Sequence, residues 1–209
     1  MILQCKQTTR LPNRELSFFS SDNKEIGKGN IPKIFIGELA IYNEKITLEM
    51  SDGMVTNILC GESVIGFIKE DVVVTKKVLF LKTGYSFYRM KYKEKIYSVY
   101  ESGLGPNKHF FSLYDEDTLT AVIHKEDLVI NYCDSYNLYS ENREAMIAAC
   151  AFTTFLESTA YVDTTAGIGN MVTAEPFYTS QQELKDKYDP EFIPRILKIE
   201  EDLLENEVK

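Results

Sequence analysis

Tryptophan is absent from this 209-residue chain, and histidine occurs only twice, as His109 and His124. Two histidines without an H-E-x-x-H run or a Cys/His cluster make no zinc motif. Both fall in predicted strands and read as structural. Cys5, Cys60, Cys133 and Cys150 are scattered, with no C-x-x-C pair. That spacing argues against a small disulfide scaffold and for reduced thiols in a cytoplasm. The opening MILQCKQTTRLPNREL lacks the basic start and apolar run of a signal peptide. The longest apolar segment is interrupted by Thr153 and Thr154 and ends at Glu157, well short of the ~20 residues that span a bilayer. Positive charge is also in short supply: 23 basic against 32 acidic residues give −9. A field of that sign repels phosphate-rich partners unless a local basic patch overrides it, which argues against broad nucleic-acid binding.

Catalytic signatures are missing as well. GESVIG at 61–66 has the wrong spacing for a nucleophile elbow. GLGPNK at 103–108 fits neither the P-loop nor the dinucleotide fingerprint and precedes a strand, so it reads as a turn. The acidic run 115–117 lacks EF-hand spacing and reads as a hairpin tip. No nucleophile–base or metal constellation is visible. A non-enzymatic protein without cofactor or metal is therefore predicted, with no catalytic residue assigned.

What is present is strand-like. Aliphatic and aromatic residues make up 44% of the chain, with 13 Tyr and 12 Phe, a composition that suits strands. Short β-branched or aromatic runs cover 33–42, 45–50, 54–59, 63–69, 72–81, 85–91, 95–101, 109–114, 119–124, 128–132 and 136–139. Turn residues separate them, as in a closed or sandwiched all-β domain. Residues 1–30 read as polar and poorly periodic, with turns at 20–23 and 27–30. One strong helix signal stands out at 142–161. From Ala145 to Phe152 no residue is polar, and a helix apolar on every side must be enclosed. Ser140 is the predicted N-cap, with Glu141 in the first turn. Together these features suggest a sheet wrapped around one helix.

After a Gly- and Thr-rich stretch at 163–176, read as a mobile loop, Ser180 and Glu183 have capping-box spacing for a helix to about Lys187. Asp189 and Pro190 start another. Ile196, Ile199 and Leu203 form an apolar stripe on 195–206, with Leu197 and Leu204 beside it. The stripe either packs on the domain or binds a protein partner.

The most suggestive polar pattern is Arg89, Lys91, Lys93 and Lys95, which alternate with Met90, Tyr92 and Glu94. On one continuous strand all four cations share a face and make an anion site for a lipid phosphate. If 92–94 is a hairpin turn, they merely solubilise it. Lys76 and Lys77, at another predicted turn, could add to the patch.

The stretch 99–139, VYESGLGPNKHFFSLYDEDTLTAVIHKEDLVINYCDSYNLY, followed by the apolar helix at 141–161, resembles the tubby C-terminal-like superfamily. Phospholipid scramblases and LURP-one-related proteins are its most similar branches. The likeness covers roughly 34–161. It implies a closed barrel of about twelve strands around a central hydrophobic helix, here with a helical C-terminal extension. The implied organisation is a polar segment at 1–32, the barrel at 33–162, and a loop with helices at 163–209. It also implies a non-catalytic role. Tubby proteins hold a phosphoinositide head group with a basic pair on one strand, a pattern Arg89 and Lys91 share. The acidic calcium segment of scramblases has no counterpart here, only Asp134 and Glu141. The expected partner is an anionic phospholipid at the cytoplasmic face of a membrane. The alternative is a protein bound by the C-terminal amphipathic helix.

Overall fold

Alternate residues of the first strand, Leu3, Cys5 and Gln7, are buried, and this period of two recurs around the fold. The computed structural model describes residues 1–9, 13–51, 54–78, 81–131, 133–159, 165–166, 171–174 and 176–207. In 76–78, 81–83, 165–166, 171–174 and 204–207 it describes the backbone alone. The strands are β1 (Ile2–Gln7), β2 (Arg14–Ser20), β3 (Glu25–Lys33), β4 (Ile36–Ile41), β5 (Glu44–Met50), β6 (Val55–Cys60), β7 (Ser63–Val78) and β8 (Leu81–Tyr92). They continue with β9 (Lys95–Gly103), β10 (His109–Asp115), β11 (Thr118–Lys125), β12 (Leu128–Ile130) and β13 (Ser135–Ser140). The helix α1 (Arg143–Ser158) follows, then β14 (Thr165–Ala166), β15 (Met171–Ala174), α2 (Gln182–Lys185) and α3 (Phe192–Glu207).

Twelve strands close into one antiparallel barrel in the order β1-β13-β11-β10-β9-β8-β7-β6-β5-β4-β3-β2. Closure occurs at β1, where Gln4 pairs with Phe19 on one side and Asn137 on the other. The strands β12, β15 and β14 form a separate small sheet. One apolar cluster contains residues from all twelve barrel strands together with Ala145 to Phe152, Phe155 and Leu156 of α1. From Ala145 to Ser158 every residue of α1 is buried.

Several expectations need correction. Residues 1–32 are not a polar lead-in, because β1, β2 and β3 belong to the barrel. Their periodicity was hidden because inward positions hold glycine or polar residues. A Cβ on Gly27 would lie 2.8 Å from Ile41 Cγ1, and one on Gly29 3.1 Å from Leu16. The expected turn at 27–30 is thus strand, with glycine yielding space to its neighbours. The run 72–81 is likewise not one strand: β7 ends at Val78 and β8 opens at Leu81. The N-cap of α1 is Asn142 rather than Ser140. Its Oδ1 accepts from Ala145 N at 2.9 Å, while Ser140 Oγ donates to Thr120 O. No capping box forms at α2, since Ser180 Oγ donates instead to Gln181 Oε1. At α3, Asp189 Oδ1 does accept from Glu191 N, at 2.9 Å. Pro194 sits in the first turn of α3, where no intrahelical N–H is required. Within the expected loop 163–176, β14 and β15 are strands, and 163–164, 167–170 and 175 lie outside the described residues, as does Tyr161.

In a barrel of antiparallel neighbours, connections alternate between two ends. The turns β3–β4, β5–β6 and β7–β8 therefore share an end. The C-terminus of α1 lies there too, because Phe35 N donates to Ser158 O at 2.7 Å. The other end holds the start of α1, with Glu144 3.5 Å from Lys95 and Arg143 over the Tyr42 ring at 4.6 Å.

Candidate functional site

The basic run is split between positions. Arg89 and Lys91 lie on β8, Lys93 takes the left-handed conformation of the β8–β9 turn (φ 55°), and Lys95 begins β9. Four cations on one strand face are thus not formed. Carboxylates also occupy three of them. Arg89 Nε lies 3.0 Å from Asp71, Lys93 Nζ 2.6 Å from Glu44, and Lys95 Nζ 3.0 Å from Asp115. Glu44 is held below its usual range although partial burial opposes this, because Lys93 and Tyr92 both donate to it. Burial and that same carboxylate push the Tyr92 hydroxyl far up. These pairs brace the hairpin against β5 and the β10–β11 turn.

More cations sit at the opposite end of β8. Its pairing with β9 starts only at Tyr88, and the pairing of β7 with β6 stops at Lys69. Beyond those rungs the two strands pair only with each other, out to Lys77↔Lys82 and Val78↔Leu81. This is a projecting two-stranded arm. Across 72–92 the chain carries five cations, Lys76, Lys77, Lys82, Arg89 and Lys91, and no carboxylate.

The C-terminal stripe is divided by its packing. Phe192 and Ile196 are buried, with Ile196 at 1% exposure, among Phe110, Leu119 and Val122 on the outside of the barrel. Ile199 remains 45% and Leu203 59% exposed.

A buried polar cluster at the C-terminal end of α1 escapes sequence reasoning. Glu157, 1% exposed, receives Tyr136 OH at 2.6 Å and Arg14 Nη1 at 3.2 Å, and Arg14 also donates to the Glu157 backbone oxygen at 2.6 Å. Lys125 Nζ lies 3.1 Å from Asp134 and 5.5 Å from the Tyr136 ring centre. Gln7 Oε1 accepts from Asp134 N at 3.0 Å. Two barrel strands, β2 and β13, thus reach the helical carboxylate, and β1 and β11 join the cluster through Asp134. Burial, with the Asp134 charge second, pushes Glu157 up to about 7, although Tyr136, Lys125 and Arg14 favour its ionised form. Tyr136 is pushed up by burial and by Glu157, and the Cys5 thiol by burial, Cys150 and Glu157. The one signal in the sequence was Glu157 itself, a carboxylate at the end of an apolar helix, which must find partners when enclosed.

Catalytic geometry does not emerge around the histidines. His109 Nε2 lies 2.8 Å from Glu101, with the ring between Phe111 and Phe177. His124 Nε2 faces Asn107 O at 3.0 Å and its ring stacks on Phe110. Among the described residues, no three His, Cys, Asp or Glu side chains are placed to hold a metal ion. An open trough of about 450 Å³ lies on the outer face of β3–β5, lined by Lys28, Asn30, Glu38, Ala40, Lys45 and Thr47. It is a gap over the small Ala40, and Asn30 is turned to Glu38 rather than into it. Among the described residues, no helix is long and apolar enough to cross a membrane. No protein-family model, curated protein or solved structure matches the chain.

Proposed function

We propose that this chain is a non-catalytic barrel of the tubby-like kind, with α1 filling the lumen and C-terminal helices packed outside. In this reading it attaches peripherally to an anionic lipid surface, through the β7–β8 arm and the lower part of β8. The observation that carries the reading is charge segregation. Lys76, Lys77 and Lys82 lie on the outer rungs of the arm, past its last carboxylate, Asp71, while the whole chain is at −9. On a chain of that net charge, a stretch of lysines without carboxylates concentrates attraction to an anionic surface, so the attraction also orients it. The β7–β8 ladder sets the spacing of these positions along the chain. Each lysine close to an anionic leaflet contributes about 1 kcal/mol. Arg89 and Lys91 are the nearest counterparts of a head-group pair on one strand, but Arg89, like Lys93 and Lys95, is bound to a carboxylate, so the arm lysines carry most of the attraction.

Charge reversal tests this. Lys76→Glu, Lys77→Glu and Lys82→Glu together should abolish sedimentation with vesicles containing phosphatidylserine. Lys24→Glu, Lys45→Glu and Lys93→Glu together, an equal change of charge at the opposite end of the barrel, should not. Equal loss in both variants would mean that net charge alone, not the arm, governs binding.

A second reading is favoured by the exposed Ile199 and Leu203 on α3: a protein-interaction surface beside the docked Phe192 and Ile196. A partner whose binding is lost with Ile199→Ser and Leu203→Ser, at unchanged stability, would support it over the lipid reading.

A further inference from the structure

The exposed apolar side chains are distributed unequally between the two barrel ends. Ile34 and Phe35 form the β3–β4 turn, Met54 lies in the β5–β6 connection, and Val72 and Val74 lie on the arm. Their exposures run from 42% for Phe35 to 79% for Met54. Three hairpins adjacent in the sheet order, all at the end where α1 finishes, thus present apolar groups to solvent. The same end carries the small sheet, where Leu128 and Ile130 are exposed as well. The turns at the opposite end read SDNK, YN, GE, KE and ED. Val64 and Ile96, the exposed apolar residues nearest that end, are single residues on strand flanks.

Backbone geometry sharpens the contrast. Phe35 and Met54 adopt φ 67° and 65°, the left-handed region that favours Gly and Asn. Most other non-glycine residues with positive φ are polar, namely Asn23, Lys93, Asn107, Glu116 and Asn131, with Tyr42 the exception. At Phe35 and Met54 a bulky apolar side chain is exposed where a polar residue would suit both backbone and water. Neither feature helps the isolated barrel. Charge supplies the nature of the partner: Lys33 is exposed beside Ile34, and Lys76, Lys77 and Lys82 occupy the outer rungs of the arm. Two of the three hairpins, β3–β4 and β7–β8, thus set lysines beside their apolar residues, while the β5–β6 connection holds Asp52; apolar groups beside lysines fit the boundary between acyl chains and phosphates of an anionic bilayer.

We propose that this end of the barrel inserts shallowly into an anionic bilayer, with Phe35 and Met54 among the acyl chains and the lysines at the head groups. The proposal rests on the anionic-surface reading above and adds orientation and depth to it. The absence of tryptophan provides the assay. Phe35→Trp, Met54→Trp and, at the far end, Glu116→Trp each give the full chain one reporter. On phosphatidylcholine vesicles containing phosphatidylserine and brominated acyl chains, the first two should shift to the blue and be quenched, and the third should not. Phe35→Asn with Met54→Asn should keep thermal stability, since Asn suits the backbone there, and weaken vesicle binding by roughly tenfold. Bound protein whose reporters at 35 and 54 are neither shifted nor quenched would overturn insertion while leaving electrostatic attachment intact. So would an Asn double variant that binds like the wild type. Blue shifts that grow with protein concentration without lipid would overturn it in favour of a second copy of the chain. No binding of the wild type to any anionic vesicle would remove the lipid reading itself.

Discussion

Replacing Glu157 by Gln should remove a pH dependence built into the barrel. The carboxyl is 1% exposed and is pushed from 4.5 up to about 7, chiefly by burial and next by the charge of Asp134. Below pH 4.5 it is protonated in both folded and unfolded chains. As pH rises, the unfolded chain releases its proton first, so the native state is progressively disfavoured until the folded group also ionises near 7. The stability lost across that window is about 3 kcal/mol, at roughly 1.4 kcal/mol per tenfold change in proton affinity. Gln does not titrate, and groups remote from Glu157 cancel in a difference. The stability of Glu157→Gln minus that of the wild type should therefore rise by about 3 kcal/mol from below 4.5 to above 7. Its melting temperature should gain about 8 °C relative to the wild type over the same range. Urea unfolding followed by circular dichroism at a series of pH values reads this directly. A difference that stays flat would show that Arg14, 3.2 Å away, offsets the burial and leaves the carboxyl titrating as it does in the unfolded chain, and would refute the reasoning.

Other substitutions probe the remaining contacts. Phe192→Ala empties a fully buried site between α3 and the barrel and should cost about 3–5 kcal/mol in denaturant unfolding. By contrast Ile199→Ser, at an exposed position, should stay within about 0.5 kcal/mol of the wild type. Asn142→Ala removes the cap on Ala145 N and should cost about 1 kcal/mol; no change would mean that packing alone holds the start of α1. Gly66→Ala would drive a Cβ onto the Lys91 carbonyl oxygen, and the forced backbone shift should cost about 1–3 kcal/mol. A neutral result would show that this rung of the β7–β8 ladder can open freely.

Strands were legible where alternation had apolar inward residues, as in Leu39 and Ile41 of β4 or Tyr97 and Val99 of β9. They were illegible where Gly27, Gly29, Gln7 and Arg14 fill inward positions, since a hydrophobic period needs hydrophobic residues to be seen. The apolar run at the start of α1 announced a buried helix, but its cap lay two residues beyond the one expected. The buried cluster joins residues 7, 14, 125, 134, 136 and 157, and only barrel closure brings them together. The split of the α3 stripe, with Ile196 docked and Ile199 outside, is beyond a periodicity argument, because a wide stripe does not say which edge is covered. The shared end of Phe35, Met54 and Val72 depends in the same way on sheet order rather than on spacing.

The most direct test of the central claim is flotation of the wild-type chain with neutral and with phosphatidylserine-containing vesicles across rising salt. Binding to the anionic vesicles alone, weakening as salt screens the arm, is the predicted result. Equal binding to both, or to neither, would contradict it.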